Sequence, residues 1–272
     1  MREPMSARRF PRARKRFGQH FLEPAWVAKL IDAVSPSKGD TFLEIGSGRG
    51  ALTVPLAARA GTVVAVEIDR DLAAALQSSA PPHVRVVQGD LLDIDLAEVL
   101  RGERMPIRVI GNLPYNVASP ILFRLLHTAA DGRVLKDATL MLQREVADRL
   151  LATPGTADYG ALALQVGLRA DVDRVLSLPP GAFRPPPKVH SSVVRLRFRP
   201  PGVDVGNQAM FERLVRGLFR QRRKTVLNAL RPVADSCGRS ARDILERVGI
   251  EAGRRPQTLT LDEMARLSRA ML

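Results

Sequence analysis

Thr41-Phe42-Leu43-Glu44-Ile45-Gly46-Ser47-Gly48-Arg49-Gly50 decides how the rest of the chain reads. Residues of strand character run into a glycine-rich turn ahead of a helical pattern, and residues without side chains let the backbone approach a ligand closely. Alone, such a turn fits a nicotinamide enzyme, or a tight strand-to-helix connection with no ligand. Two details narrow it. The glycines are spaced Gly-x-Gly-x-Gly, not Gly-x-Gly-x-x-Gly, and Glu44 stands just before them. A carboxylate there is awkward beside a pyrophosphate and tolerable beside a sulfonium and an ammonium group, which favours S-adenosylmethionine.

Working outward, Glu67 closes a second predicted strand, Thr62–Glu67, 21 positions after Gly46, where a carboxylate can accept hydrogen bonds from both ribose hydroxyls. Gly89-Asp90 ends a third, Val84–Gln88, and Asp90 can take a hydrogen bond from the cofactor's adenine amino group. Three strands in succession thus present an acid at the edge where open sheets bind ligands. Arg108–Ile110 and Ala138–Leu142 read as further strands, with helices between. Ser119-Pro120 reads as a helix start, ahead of Ile121, Leu122 and Leu125. Val175–Leu178 and Ser192–Phe198, joined by a proline-rich stretch with no helix between them, are expected to be antiparallel.

Arg199-Pro200-Pro201-Gly202 reads as a linker. Beyond it Phe211, Leu214, Val215, Leu218 and Phe219 have the spacing of an amphipathic helix. Ser240–Val248 stops at Gly249, and Thr260 to Glu263 has capping-box spacing before Met264 and Leu267. The expected architecture is α/β: a Rossmann-like methyltransferase domain with a mostly parallel seven-stranded sheet and an antiparallel end, plus a small C-terminal all-helical domain. The expected boundaries are a basic tail at 1–16, the methyltransferase domain at 17–200 and a helical, RNA-binding domain at 203–272.

Asn112-Leu113-Pro114-Tyr115 follows the fourth strand, beside the expected cofactor. The amino nitrogen of an aromatic base is a poor nucleophile, because its lone pair is delocalised into the ring. Two acceptors on its N–H bonds favour the tetrahedral form in which that pair is available. The Asn112 side-chain oxygen and a main-chain carbonyl, that of Leu113, supply them. Pro114 stiffens the turn, Tyr115 can stack on an extruded base, and the proton can leave after transfer. The plain alternative is a strand-to-loop turn with Tyr115 in the core. Phe183, in Phe183-Arg184-Pro185-Pro186-Pro187-Lys188, is a candidate for the base's other face, or a core residue in a stiff loop.

Charge separates the ends from the middle. The net charge is +14, but residues 1–16 carry 7 Lys/Arg against 1 Asp/Glu, residues 17–182 carry 16 against 19, and residues 183–272 carry 19 against 8. Two basic flanks around a mildly acidic centre suggest a polyanion partner, although a solvated face explains any single Arg equally well. One cysteine, Cys237, allows no internal disulfide and fits a reducing compartment. No apolar run has membrane-spanning length, and the basic opening lacks the apolar stretch of a secretory signal. A cytoplasmic protein is the expectation.

Taken together these motifs resemble the ribosomal RNA adenine N6-dimethyltransferases, above all the bacterial small-subunit (16S) branch, from about Lys15 to the end of the chain. Phe17-Gly18-Gln19-His20-Phe21-Leu22 looks like that family's N-terminal cofactor motif. The resemblance implies a cofactor set of Gln19, His20, Leu22, Glu44, Gly46, Gly48, Glu67, Ile68, Asp90, Leu91 and Asn112. It implies a catalytic set of Asn112, Leu113, Pro114, Tyr115 and Phe183. Met141 to Ala147 and Gln221-Arg222-Arg223-Lys224-Thr225 are also similar to the family, the latter more typical of its housekeeping than its resistance branch. The chain departs at His20, where the family often has Asn, at Ser47, where Pro is common, and at His190, where Asp is common.

The implied activity is dimethylation of two adjacent adenosines in the 3′-terminal hairpin of small-subunit RNA, with a part in subunit biogenesis. The implied partners are that RNA and the immature 30S subunit, met by a monomer with no membrane. Arg14, Lys15, Arg16, Arg220, Arg222, Arg223 and Lys224 are the expected phosphate contacts. No metal is expected, since His20, His83, His127 and His190 are scattered. Two alternatives stay open: the same chemistry on large-subunit RNA, as in resistance enzymes, and an RNA-binding assembly factor that keeps the fold without catalysis.

Overall fold

A computed structural model describes residues 20–130 and 133–272; Gln19, Arg14, Lys15 and Arg16 lie outside the described residues. Among the described residues the first elements are β1 (Phe21–Leu22) and α1 (Pro24–Val34). The chain then alternates through β2 (Thr41–Ile45), α2 (Thr53–Arg59), β3 (Thr62–Glu67), α3 (Arg70–Ser79), β4 (Val84–Gln88), α4 (Leu96–Val99), β5 (Ile107–Asn112), α5 (Ala118–Thr128) and β6 (Leu135–Gln143). Next come α6 (Arg144–Leu151), α7 (Ala161–Gly167), β7 (Ala170–Leu178), β8 (Phe183–Arg184) and β9 (Ser191–Phe198). Last are α8 (Gln208–Arg220), α9 (Val226–Asp235), α10 (Ala241–Val248) and α11 (Leu261–Ala270).

The chain forms two compact units. One holds the described residues up to Ala147 with Val172–Phe198, the other Asp148–Asp171 with Arg199–Leu272. In the first, a seven-stranded sheet runs β4-β3-β2-β5-β6-β9-β7. The pairs β4/β3, β3/β2, β2/β5 and β5/β6 are parallel, and β9 is antiparallel to β6. β2 is buried along its whole length, as a central strand covered on both faces must be. Successive strands step from β2 outward to β4, then return to β2's other side at β5. That reversal opens a crevice at the carboxyl ends of β2 and β5, the place where such sheets take ligands.

Several elements differ from expectation. β7 begins at Ala170, well before the expected Val175, because Asp171, Asp173 and Arg174 on an exposed edge strand look like loop. α5 starts at Ala118 behind Val117, so Ser119 is not its cap; Pro120 is tolerated inside the first turn because N–H groups there have no intrahelical partner to lose. The pairing of β1 with β8, Phe21 against Arg184 and Leu22 against Phe183, has no counterpart in the sequence pattern.

The second unit takes in a stretch expected in the first domain. α7 contributes Leu164, and Tyr159 and Leu168 flank it, to one apolar cluster with Phe211, Leu214, Leu218, Leu230 and Met264. A short helix between two strands carries no mark of which core it joins. Its other helices start at side-chain caps on Asn207, Thr225, Ser240 and Thr260, the last a full capping box with Glu263, and α10 ends at left-handed Gly249.

Candidate active site

At the end of β2 the chain turns through Gly46 (φ 72°), Gly48 (φ 55°) and Gly50 (φ 78°), backbone that L side chains resist. A Cβ on Gly48 would stand 3.1 Å from the Phe21 ring, so that ring would have to shift to admit a side chain there. The cleft above this turn is lined by His20, Leu22, Glu44, Gly46, Gly48, Glu67, Ile68 and Asn112 to Tyr115, and also by Phe21, Ser47, Ala51 and Leu52, which were outside the expected cofactor set. An adjoining hollow shares Gly46, Ile68 and Pro114 and adds Gly89, Asp90, Leu91, Asn116 and Val117. Apart from Gln19, the cofactor set expected from sequence thus lies around two neighbouring hollows.

The acids differ in how well the protein completes them. Glu67 accepts the Gly48 N–H at 2.7 Å and the Asp69 N–H at 2.9 Å, which ties the glycine turn to the end of β3. Burial raises its carboxyl above the usual range, those N–H bonds oppose the rise, and the Asp69 charge adds to it. Glu44 is 1% exposed, and its Oε2 has no hydrogen-bond partner. Burial pushes Glu44 up to about 7, with the Thr53 hydroxyl opposing and Glu67 adding. Asp90 is half-buried, and its Oδ1 accepts the Leu92 N–H at 2.9 Å. No Lys or Arg lines either hollow among the described residues. A phosphate would meet uncompensated acids here. A cationic ligand would meet a buried carboxylate oxygen that lacks a partner, so the donor set fits S-adenosylmethionine.

Asn112 ends β5 with its side chain half-buried. Its Nδ2 donates to the carbonyl of His20 at 2.6 Å. A carbonyl can only accept, so the contact fixes the amide's orientation and leaves Oδ1 as the free acceptor. Leu113 is buried, with its N–H directed at the Met141 carbonyl at 3.4 Å, so the main chain at this turn is held by β6. The Tyr115 hydroxyl and Ser191 Oγ share a 2.7 Å hydrogen bond, and the ring lies nearly parallel to His20. Burial holds the Tyr115 phenol above its usual range, partly opposed by Ser191, so the ring stays neutral. Ser191 lies 76 residues away on β9, and nothing local marks it.

Phe183, named in the expected catalytic set, takes the core place that was its alternative reading. It is 1% exposed and packs with Leu22, Leu30, Leu178 and Val193, and it is not among the residues lining the cleft. Pairing with β1 turns this ring inward; a large apolar side chain gains more there than at a wet cleft.

Among the expected RNA contacts, Arg220, Arg223 and Lys224 are exposed. Arg222 is engaged within its own unit, donating to the Ala157 carbonyl at 2.5 Å and Gln257 Oε1 at 3.4 Å. No group of His, Cys, Asp or Glu suited to a metal occurs among the described residues, and no helix there is long and apolar enough to cross a membrane.

Residues 11–268 match the model of the family described as ribosomal RNA adenine dimethylase. The chain is 46% identical over 272 residues to ribosomal RNA small subunit methyltransferase A of Geobacter metallireducens, covering 96% of each chain. To the protein of that name from Aromatoleum aromaticum it is 45% identical over 253 residues, covering 92% of this chain and 91% of the relative. Among solved structures it is similar to a dimethyladenosine transferase from Plasmodium falciparum, with a TM-score of 0.76 at 25% identity over 91% of this chain and 96% of that one. A 23S rRNA methyltransferase has a TM-score of 0.65 at 25% identity, over 92% and 99%. With the cleft's acids, its asparagine turn and these matches in agreement, the chain belongs to the ribosomal RNA adenine dimethylase family, enzymes that take their methyl groups from S-adenosylmethionine.

Proposed function

We propose that this protein dimethylates N6 of two adjacent adenosines in the 3′-terminal hairpin of small-subunit ribosomal RNA, acting on the immature 30S subunit as a cytoplasmic monomer. The observation that carries the chemistry is the Asn112 amide, clamped by the His20 carbonyl so that Oδ1 is left to accept from an amino group. The names of the relatives support the choice of subunit.

The cofactor supplies an electrophilic methyl group on a sulfonium. Around it, Glu44 would offer its unpartnered oxygen to positive charge, Glu67 would receive the ribose and Asp90 the adenine amino group. Asn112 Oδ1 and the Leu113 carbonyl draw the N–H bonds of the target amino group, leaving its lone pair free to attack. Tyr115, neutral and held by Ser191, offers its face to the base. Once methylated, the nitrogen releases its proton without a dedicated base. Phosphate contacts fall to the exposed Arg220, Arg223 and Lys224 of the helical unit, with Arg14, Lys15 and Arg16 of the tail.

Transfer of labelled methyl groups to small and large subunits isolated from cells lacking the modification tests this. Label is expected in small-subunit RNA; label in large-subunit RNA alone would move the protein to the resistance type. Cofactor binding without transfer to either would leave an assembly factor.

A further inference from the structure

We propose that Arg124 is a positioning residue for the cofactor's adenine, a strut that fixes the distance between the two walls of its hollow. This rests on the assignment of that hollow, with Asp90, to the adenine made above. One wall is the loop after β4, with Gly89, Asp90 and Leu91; the other is the start of α5, with Asn116, Val117 and Ile121. Val117, Ile121 and Arg124 are spaced at i, i+4 and i+7, so they share one face of the helix. One turn beyond the hollow, the part-buried Arg124 guanidinium bridges the walls. One of its nitrogens donates to the Leu92 carbonyl and the other to the Ile94 carbonyl. Such bonds from a charged donor are stronger than neutral ones, and the rigid planar fork sets a separation that a flexible ammonium stem would not.

The loop behaves as one folded piece. Asp90 Oδ1 accepts the Leu92 N–H at 2.9 Å, and the Asp90 carbonyl accepts the N–H groups of Asp93 and Ile94 at 3.0 Å each. A Cβ on Gly89 would stand 2.6 Å from Ile94 Cγ2, so Ile94 folds back tightly over the start of the loop. The Gly89 N–H donates to the Glu67 carbonyl at 3.0 Å, which joins this piece to β3. Arg124 adds two bonds that join it to α5. That helix follows directly from the asparagine turn, where the Val117 N–H donates to the Pro114 carbonyl at 3.1 Å. One side chain thus ties the loop that would receive the adenine to the helix leading out of the turn that would receive the target amino group.

Arg124→Ala and Arg124→Lys in the full-length protein test this, with Arg85→Ala for comparison. Arg85 leaves β4 in the same unit, donates to the Val99 carbonyl at 2.5 Å and to Glu103 at 2.7 Å, and lines neither hollow. Calorimetry gives Kd for S-adenosylmethionine and for 5′-methylthioadenosine, which keeps the adenosine and lacks the amino-acid end. A loop held in place in only about a tenth of molecules raises both Kd values about tenfold in Arg124→Ala. Arg124→Lys keeps the charge without the fork, so both values should lie about threefold above wild type. Arg85→Ala should leave both unchanged. The strut is overturned if Arg124→Ala binds both ligands as wild type does, if it loses affinity for S-adenosylmethionine alone, or if Arg85→Ala loses as much. Should Arg124→Ala fail to fold, Arg124→Lys decides, and wild-type Kd values there overturn the strut. Wild-type protein that binds neither ligand would instead remove the adenine assignment beneath it.

Discussion

Arg108 and Glu44 lie on neighbouring parallel strands, two residues apart in register, Arg108 toward their amino ends and Glu44 toward their carboxyl ends, and the protein treats the two buried ionisable groups differently. At the amino end, Arg108 donates to Asp137 and Asp40 at 3.1 Å and to the Val34 carbonyl at 3.0 Å, with its guanidinium 5.0 Å from the Phe42 ring centroid. At the carboxyl end, Glu44 has an oxygen without a partner, a second acid nearby and no cation lining the cleft. A buried ionisable group completed by its own chain is scaffold. One left incomplete waits for a ligand to complete it, and here the missing partner is positive.

Breaking the completed end should have the largest effect. Arg108→Ala leaves Asp40 and Asp137 without their cation and is expected to cost about 3–5 kcal/mol in denaturant unfolding. Cofactor affinity per folded molecule should be unchanged, since Arg108 lines neither hollow. A variant as stable as wild type would show that the cluster is dispensable to the scaffold.

The incomplete end should respond to pH. Folded Glu44 keeps its proton up to about 7, whereas in the unfolded chain it ionises near 4.5. The folded state therefore binds more protons between these values, and ligand-free stability should fall by about 3 kcal/mol as pH rises from 4.5 to 7, then level off. Glu67, also raised by burial, acts in the same sense. Glu44→Gln should flatten most of this decline. A cation beside Glu44 favours its ionised form, so cofactor affinity should weaken below about pH 7. Calorimetry in buffers of different ionisation enthalpy should then register proton release, and Glu44→Gln should abolish it.

The smallest effect sharpens the contrast from outside. Lys224 is exposed, and its charge belongs to neither end of the sheet. Lys224→Ala should leave Tm unchanged and lower the slope of log RNA affinity against log salt by about 1. An unchanged slope would take Lys224 out of the RNA footprint.

What could be read from sequence follows from how local each feature is. β2, β3 and β4 match their expected bounds because strand runs there end in a glycine turn or an acid. The acids Glu44, Glu67 and Asp90 were visible because each sits where its own strand stops. Ser191 against Tyr115, and the His20 carbonyl against Asn112, join residues 76 and 92 positions apart, which no local pattern reveals. The inward turn of Phe183 depends on pairing with Leu22, so its chemistry could not be separated from its packing before the fold was known. Arg108 looked like any strand arginine until Asp40 and Asp137 closed around it.

In the proposed function the Asn112 amide, oriented by the His20 carbonyl, holds an adenosine amino group beside the cofactor. The most direct test is nucleoside analysis of small-subunit RNA after single turnover with saturating S-adenosylmethionine, comparing wild type with Asn112→Ala. Wild type should yield N6-methylated and then N6,N6-dimethylated adenosine. Asn112→Ala should slow both by about 10²–10³-fold while cofactor Kd changes only a few-fold. N6-methylated adenosine formed by Asn112→Ala at the wild-type rate would contradict the account.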